Sequence, residues 1–203
     1  MRHTSGRSHY ELLRFNEPLS ADFLAITRDL AGRDHNAQAE LHRADERLES
    51  FVGVVALMSD AHVYPPAYRT PIGYGWGGTV KPSVVERARG ARPQVILGRL
   101  HVNPAWKECN IEARMAEHIV RLQPEHSRQV LLRMGQNDRE GMTIVAQGQL
   151  GMMRTVETPV ILGQGLLETD RTHPYIARSV GDLINHIQLL PGLPDVYELD
   201  NLS

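Results

Sequence analysis

The sequence predicts an α+β domain, a mixed central sheet flanked by helices, with an extra amphipathic helix near the C-terminus. Three observations predict it. A short continuous apolar run at residues 51–58 (FVGVVALM) reads as a strand buried on both faces, and Gln94–Val102 (QVILGRLHV) as the strongest strand in the chain. Segments with apolar residues every three or four positions alternate with such runs, which is the signature of helices interleaved with strands. A chain of 203 residues, 41% hydrophobic and 23% charged, has the size and composition of one ordinary core, or at most two small ones.

Taken in order, His9–Phe15 (HYELLRF) is strand-like in its aromatic and branched content, and Asn16-Glu17-Pro18 ends it. Ser20 is placed to cap a helix running to about Leu30, with Phe23, Ile26 and Leu30 on one face and Gly32 after it. Ala37, Leu41, Ala44 and Leu48 mark a second helix. The strand at 51–58 follows, bounded by Ser59-Asp60, and Pro65 and Pro66 make the next stretch a loop or turn. Residues 71–80 (PIGYGWGGTV) read as a glycine-rich strand, and 81–93 as a polar connection containing arginines. Gln94–Val102 is the strongest strand, stopped by Asn103-Pro104. Ile111, Met115, Ile119 and Leu122 form a helical face that Pro124 ends. Residues 129–134 read as a strand, 138–150 as a weaker helix, and 155–167 as a strand or hairpin. Last, Ile176, Val180, Leu183, Ile187 and Leu190 make one apolar stripe over 175–190. The expected organisation is a domain over residues 1–170, with a helix and tail at 171–203 that dock on it or on a partner chain.

Composition excludes several function classes. A formal charge of −2 argues against a nucleic-acid binder working by bulk charge, and 5% aromatic content leaves few stacking platforms for single strands. Only Lys81 and Lys107 are lysines, so the remaining basic residues are arginines. This bias fits a GC-rich genome or an arginine contact surface. Cys109 alone provides neither a disulfide framework nor a cysteine zinc site. No eighteen apolar residues run together, and the first ten residues lack the apolar core of a signal peptide, so a cytoplasmic protein with no membrane association is expected. Ten histidines are scattered without an H-x-x-x-H pair on a credible helix, and no metal is assigned. Gly73-Tyr74-Gly75-Trp76-Gly77-Gly78 has neither the spacing of a phosphate loop nor a helix after it, and reads as a strand bulge or tight hairpin.

Residues 97–115 read LGRLHVNPAWKECNIEARM. With the order of elements, this resembles the fourth strand and third helix of the GNAT-type N-acetyltransferases, typically L-x-V-x-P-x-(aromatic)-R-G-x-G-I-G. Leu100, Val102, Pro104, Trp106, Lys107 and Ile111 match that skeleton. Residues 130–137 (VLLRMGQN) resemble the family's fifth strand ending in asparagine, and Leu150-Gly151-Met152 its Leu-Gly-Phe. The resemblance covers roughly residues 8 to 160.

The resemblance implies a site for acetyl-CoA or another acyl-CoA. Leu100 and Val102 would hold the pantetheine arm through their backbone. Lys107 and the amides of Cys109, Asn110, Ile111 and Glu112 would hold the pyrophosphate, with Asn137 on the neighbouring strand. His101 is a weak candidate for the base that deprotonates the amine, competing with an ordinary half-buried histidine; Asp60 and His62 are the other nearby candidates. The motif is degenerate, because Glu108, Asn110 and Glu112 stand at the three glycine positions and bring two carboxylates to a phosphate site. Neither Ile144 nor Gln147, where the family often has a tyrosine, is a proton donor. Two functions follow: a GNAT-like binding or assembly module that no longer transfers acyl groups, in a homo-oligomer or larger complex through its C-terminal helix, or an active acyl-CoA-dependent N-acyltransferase.

Overall fold

The computed structural model describes residues 9–32, 34, 36–59, 69–80, 88, 93–123, 128–132, 144–154 and 175–199. They form β1 (His9–Phe15), α1 (Ala21–Ala31), α2 (Asn36–Arg47), β2 (Ser50–Ser59), β3 (Arg69–Val80), β4 (Gln94–Val102), a 3-10 turn (Pro104–Cys109) and α3 (Ile111–Arg121). After these come β5 (Val130–Leu132), one wide helical turn (Ile144–Gln149), β6 (Met153–Arg154), β7 (Tyr175–Ala177), α4 (Val180–Gln188) and β8 (Val196–Leu199). All eight strands share one mixed sheet in the order β6-β7-β5-β4-β3-β2-β1-β8. From β1 to β4 the neighbours are antiparallel. The step from β4 to β5 is parallel, and α3 lies in the connection.

Strand periodicity sorts the core into two layers. Val52, Val54 and Ala56 of β2 pack with Ile111, Met115 and Ile119 of α3 and with Val180, Leu183 and Ile187 of α4. Val55 and Leu57 pack on the other face with Phe23 of α1 and Leu41 of α2. Ser20 caps α1, its Oγ accepting from the Phe23 N–H, and Gly32 closes the helix at φ 57°. The far end of α3 is tied to the sheet through Gln123. Its Oε1 accepts from Ser50 Oγ (2.6 Å) and Thr79 Oγ1 (2.9 Å).

One irregularity shapes the centre. Trp76 of β3 sits opposite Arg99, and Gly77 opposite Leu97, so Gly98 is an extra residue in β4. The fully buried Trp76 ring lies on Gly98, where a Cβ would come within 2.1 Å of it. Past the bulge, Leu100 and Val102 face the α3 layer, while Arg99 and His101 face α1 and α2.

The single apolar stripe expected over 175–190 is corrected. Tyr175–Ala177 is a strand between β5 and β6, and the helix starts only at Val180, where extended Ser179 (φ −149°) caps it through Asp182 N–H. The chain after residue 171 is also more than a helix and tail. It supplies β7 inside the sheet and β8, parallel to β1, at its edge. β8 escapes the sequence reading because four residues after two prolines show no usable periodicity. Most of the connection at 81–93, the strand or hairpin expected at 155–167 and the boundary at 170/171 lie outside the described residues, as does the first part of the helix expected at 138–150.

Candidate functional site

On the α3 side of the sheet, β4 pairs with β5 only from Val95 to Leu97, opposite Val130 to Leu132. Beyond Leu97 the same edge of β4, with Leu100 and Val102, has no partner strand among the described residues. The start of α3 follows β4 through the 3-10 turn, where Trp106 and Cys109 meet Tyr10 of β1. Asn110 takes the left-handed conformation (φ 54°, ψ 29°), the one non-glycine residue described at positive φ. Asparagine tolerates this region better than most residues, so the turn keeps the form that glycine favours at this position. No side chain of Asn110 caps the helix, which leaves the first-turn N–H groups without a side-chain acceptor from the cap.

Ile111 is fully buried, and Glu112 in the same turn is only 3% exposed. Cys109 is half-buried and accepts from the Tyr10 hydroxyl (3.7 Å). Burial first, then this bond, pushes Tyr10 up to about 12. Cys109 is thus a packed thiol between β1 and α3. The Lys107 and Glu108 backbones lie in the 3-10 turn, but their side chains, with Asp60, His62 and Asn137, are outside the described residues.

The opposite face holds a cluster that no sequence motif marks. Arg99 donates from Nε and Nη2 to both carboxylate oxygens of Glu40 (2.8 and 2.9 Å) and from Nη1 to Asp34. β4 is thereby clamped to α2 and to the turn before it. Burial raises the Glu40 carboxyl, and Arg99 only partly offsets that. At Asp34 burial also acts upward, but the Arg99 hydrogen bond and charge prevail and hold the carboxyl below its ordinary value. Arg99 stays above its ordinary value despite burial, because both carboxylates favour its charged form. The only sequence signal for this cluster was one arginine interrupting an apolar strand.

His101 lies beside the cluster, half-buried, with its ring 5.4 Å from that of Tyr74 and tilted by 38°. It is therefore on the face opposite Leu100 and Val102, as strand alternation requires. Burial pushes Tyr74 up to about 12, so its hydroxyl remains protonated. That hydroxyl lies near Arg99 without hydrogen-bond geometry and has no other described partner. Tyr74→Phe should therefore raise stability by about 1 kcal/mol in urea titration, since it removes an unsatisfied buried hydroxyl. A loss of similar size would mean that the hydroxyl is bonded.

Ile144 and Gln147 are both exposed on the wide turn. No group of three or more potential metal ligands is found among the described residues. No helix described there is long and apolar enough to cross a membrane.

No protein-family model and no curated protein matches the chain. In structure it is similar to a protein ascribed to the GNAT acetyltransferase family from Desulfovibrio desulfuricans, at 12% identity and a TM-score of 0.49, over 81% of this chain and 96% of that one. It is similar to the aminoglycoside N-acetyltransferase AAC(6')-Iy in complex with CoA at 14% identity and a TM-score of 0.48, over 77% of this chain and 96% of that one. A chain of the NatC complex bound to Gag peptide and CoA is similar at 15% identity and a TM-score of 0.47, over 82% of this chain and 96% of that one. At these identities the likeness is one of fold alone.

Proposed function

We propose that the chain is a GNAT-type module that has lost acyl transfer and serves as a binding or assembly subunit of a larger complex in the cytoplasm. Glu112 carries this reading. Its side chain is buried in the first turn of α3, beside N–H groups that a pyrophosphate would otherwise use. Each close like-charge contact there costs about 1 kcal/mol, or roughly fivefold in affinity. Ile144 and Gln147 supply no proton for a departing thiolate, which weakens transfer independently. The apolar stripe of α4 is consumed within its own domain, since Val180, Leu183 and Ile187 are buried there. A homo-oligomer or larger assembly through this helix would therefore use its outer face.

A second reading is favoured by the released edge of β4 and the left-handed turn at Asn110. In an active N-acyltransferase, acetyl-CoA or another acyl-CoA would lie along Leu100 and Val102. Lys107 and the amides of Cys109 to Glu112 would hold its pyrophosphate with Asn137 nearby, and His101 would act as base. Calorimetric titration with acetyl-CoA separates the two. The first reading predicts no micromolar binding by the wild type and at least a fivefold gain in affinity for Glu112→Gln. Micromolar binding by the wild type, unchanged in Glu112→Gln, would establish the second.

A further inference from the structure

α4 and β8 lie on opposite sides of α3, so the chain that joins them has to cross that helix. α4 sits toward the β5–β7–β6 end of the sheet. Its Val180 N–H donates to the Arg128 carbonyl ahead of β5 (3.1 Å), and His186 Nε2 stands 3.4 Å from the Gly148 carbonyl of the wide turn. β8 closes the other edge, beyond β1, and α3 packs on β2, β3 and β4 between them. Two hydrogen bonds place the crossing at the first turn of α3. Asn110 Nδ2 donates to the Pro191 carbonyl (3.4 Å), and Arg114 Nε, one turn on, donates to the Pro194 carbonyl (2.9 Å).

The crossing segment has the build of a strap. Leu190 and Leu193 turn inward onto the core layer of α3, while Leu189 is 84% exposed. Gly192, between the two prolines, takes φ 70°, a conformation that glycine adopts without strain. Proline has no N–H, so at both bonded positions the strap offers only a carbonyl and buries no unpaired donor. The two ends are held unequally. At α4 the strap leaves a helix whose Ile187 is fully buried. At the other end only Val196–Leu199 pair, parallel to Tyr10–Leu13. A short parallel strand at a sheet edge belongs to the low end of local stability. Lifting β8 and two half-buried leucines would free the strap and leave α4 docked.

We propose that residues 189–195 are an autoinhibitory strap, which lies across the approach to the first turn of α3 and must lift before a pyrophosphate-bearing ligand such as CoA can reach it. The proposal rests on the reading of a GNAT-type donor site at the start of α3, and adds a block independent of Glu112. Asn110, whose left-handed turn opens that site, is the residue that holds Pro191. CoA is the probe, titrated calorimetrically against the full chain, with amide hydrogen exchange reporting whether the strap is open. Leu190→Ser/Leu193→Ser removes the inward leucines and adds no charge. Amides of β8 should exchange at least about tenfold faster in this variant, while α3 keeps its protection. A site uncovered in only a fraction of molecules loses affinity by that fraction, so the variant should bind CoA at least about tenfold more tightly than the matching chain, with Glu112 or with Glu112→Gln. Leu193→Ser alone should move both readouts in the same direction, and carries the test if the pair disturbs α3. Unchanged CoA affinity in a chain whose β8 exchanges faster would overturn the proposal. So would unchanged exchange in both variants, or micromolar CoA binding by the wild type with β8 still protected. Failure of the Glu112 reading looks different: Glu112→Gln then changes nothing in either state of the strap, while the gain on opening it stands.

Discussion

Gly98→Ala should lower the stability of this protein by about 3 kcal/mol or more, and its unfolding midpoint by roughly 10 °C. The new methyl would stand 2.1 to 2.2 Å from three ring carbons of Trp76, closer than any real Cβ contact. The indole cannot easily yield. It is fully buried, and Phe51 stacks on it at 6.3 Å between ring centroids. Relief would require reworking the bulge that turns Arg99 and His101 to one face and Leu100 and Val102 to the other. Gly148→Ala is the internal control, because nothing lies within 4 Å of its added methyl, and it should change stability by less than about 0.5 kcal/mol. Combining Gly98→Ala with Trp76→Leu should recover part of the loss if the clash is its cause. A Gly98→Ala midpoint within 2 °C of wild type would contradict the packing of Trp76 on β4.

Arg99→Met should cost about 3–5 kcal/mol at neutral pH, by leaving the carboxylates of Glu40 and Asp34 without their cation. Its pH dependence has a definite sign. Glu40 already lies above its ordinary value through burial and would rise further without Arg99. A carboxyl raised in the folded state costs stability once it ionises and returns that stability as pH falls below its folded value. The deficit of the variant is therefore greatest at neutral pH and above, and shrinks as pH descends toward the carboxylate range. Asp34 acts oppositely in the wild type. Its value is lowered, so its contribution is present above the ordinary carboxylate value and lost as pH falls below it. Urea titrations of wild type and Arg99→Met at pH 5 and 8 check this. A deficit that grows at pH 5 would contradict the burial of Glu40. Arg99→Met combined with Glu40→Met should restore much of the loss, since an apolar pair replaces a stranded charge.

Periodicity located the elements whose burial is one-sided or complete. Residues 51–58 and Gln94–Val102 became β2 and β4, and the Ile111–Met115–Ile119 face became the buried side of α3. It failed near the C-terminus, where Ile176 of β7 happened to fall in phase with the stripe of α4, and a spacing rule cannot see the break at Ser179. It also missed β8, whose place at the sheet edge depends on pairing with β1 rather than on its own pattern. At the candidate site, the proline and apolar skeleton pointed to the start of α3, and the structure brings Leu100, Val102, Cys109, Asn110, Ile111 and Glu112 to that side. What the sequence could not show was tertiary. Asp34 and Glu40 are 65 and 59 residues from Arg99, and no local spacing joins them. Nor could it show that Glu112 turns inward, because glutamate in a first helical turn is equally at home in solvent.

On the proposed reading, a buried acid at the start of α3 and the lack of a proton donor on the wide turn would have ended acyl transfer. The most direct measurement follows free thiol released from acetyl-CoA at millimolar concentration, with and without a mixture of primary amines. Release at the uncatalysed rate, hydrolysis plus direct aminolysis, with no increase on adding protein is the expected result. Amine-dependent release that scales with protein and disappears in His101→Ala would contradict it.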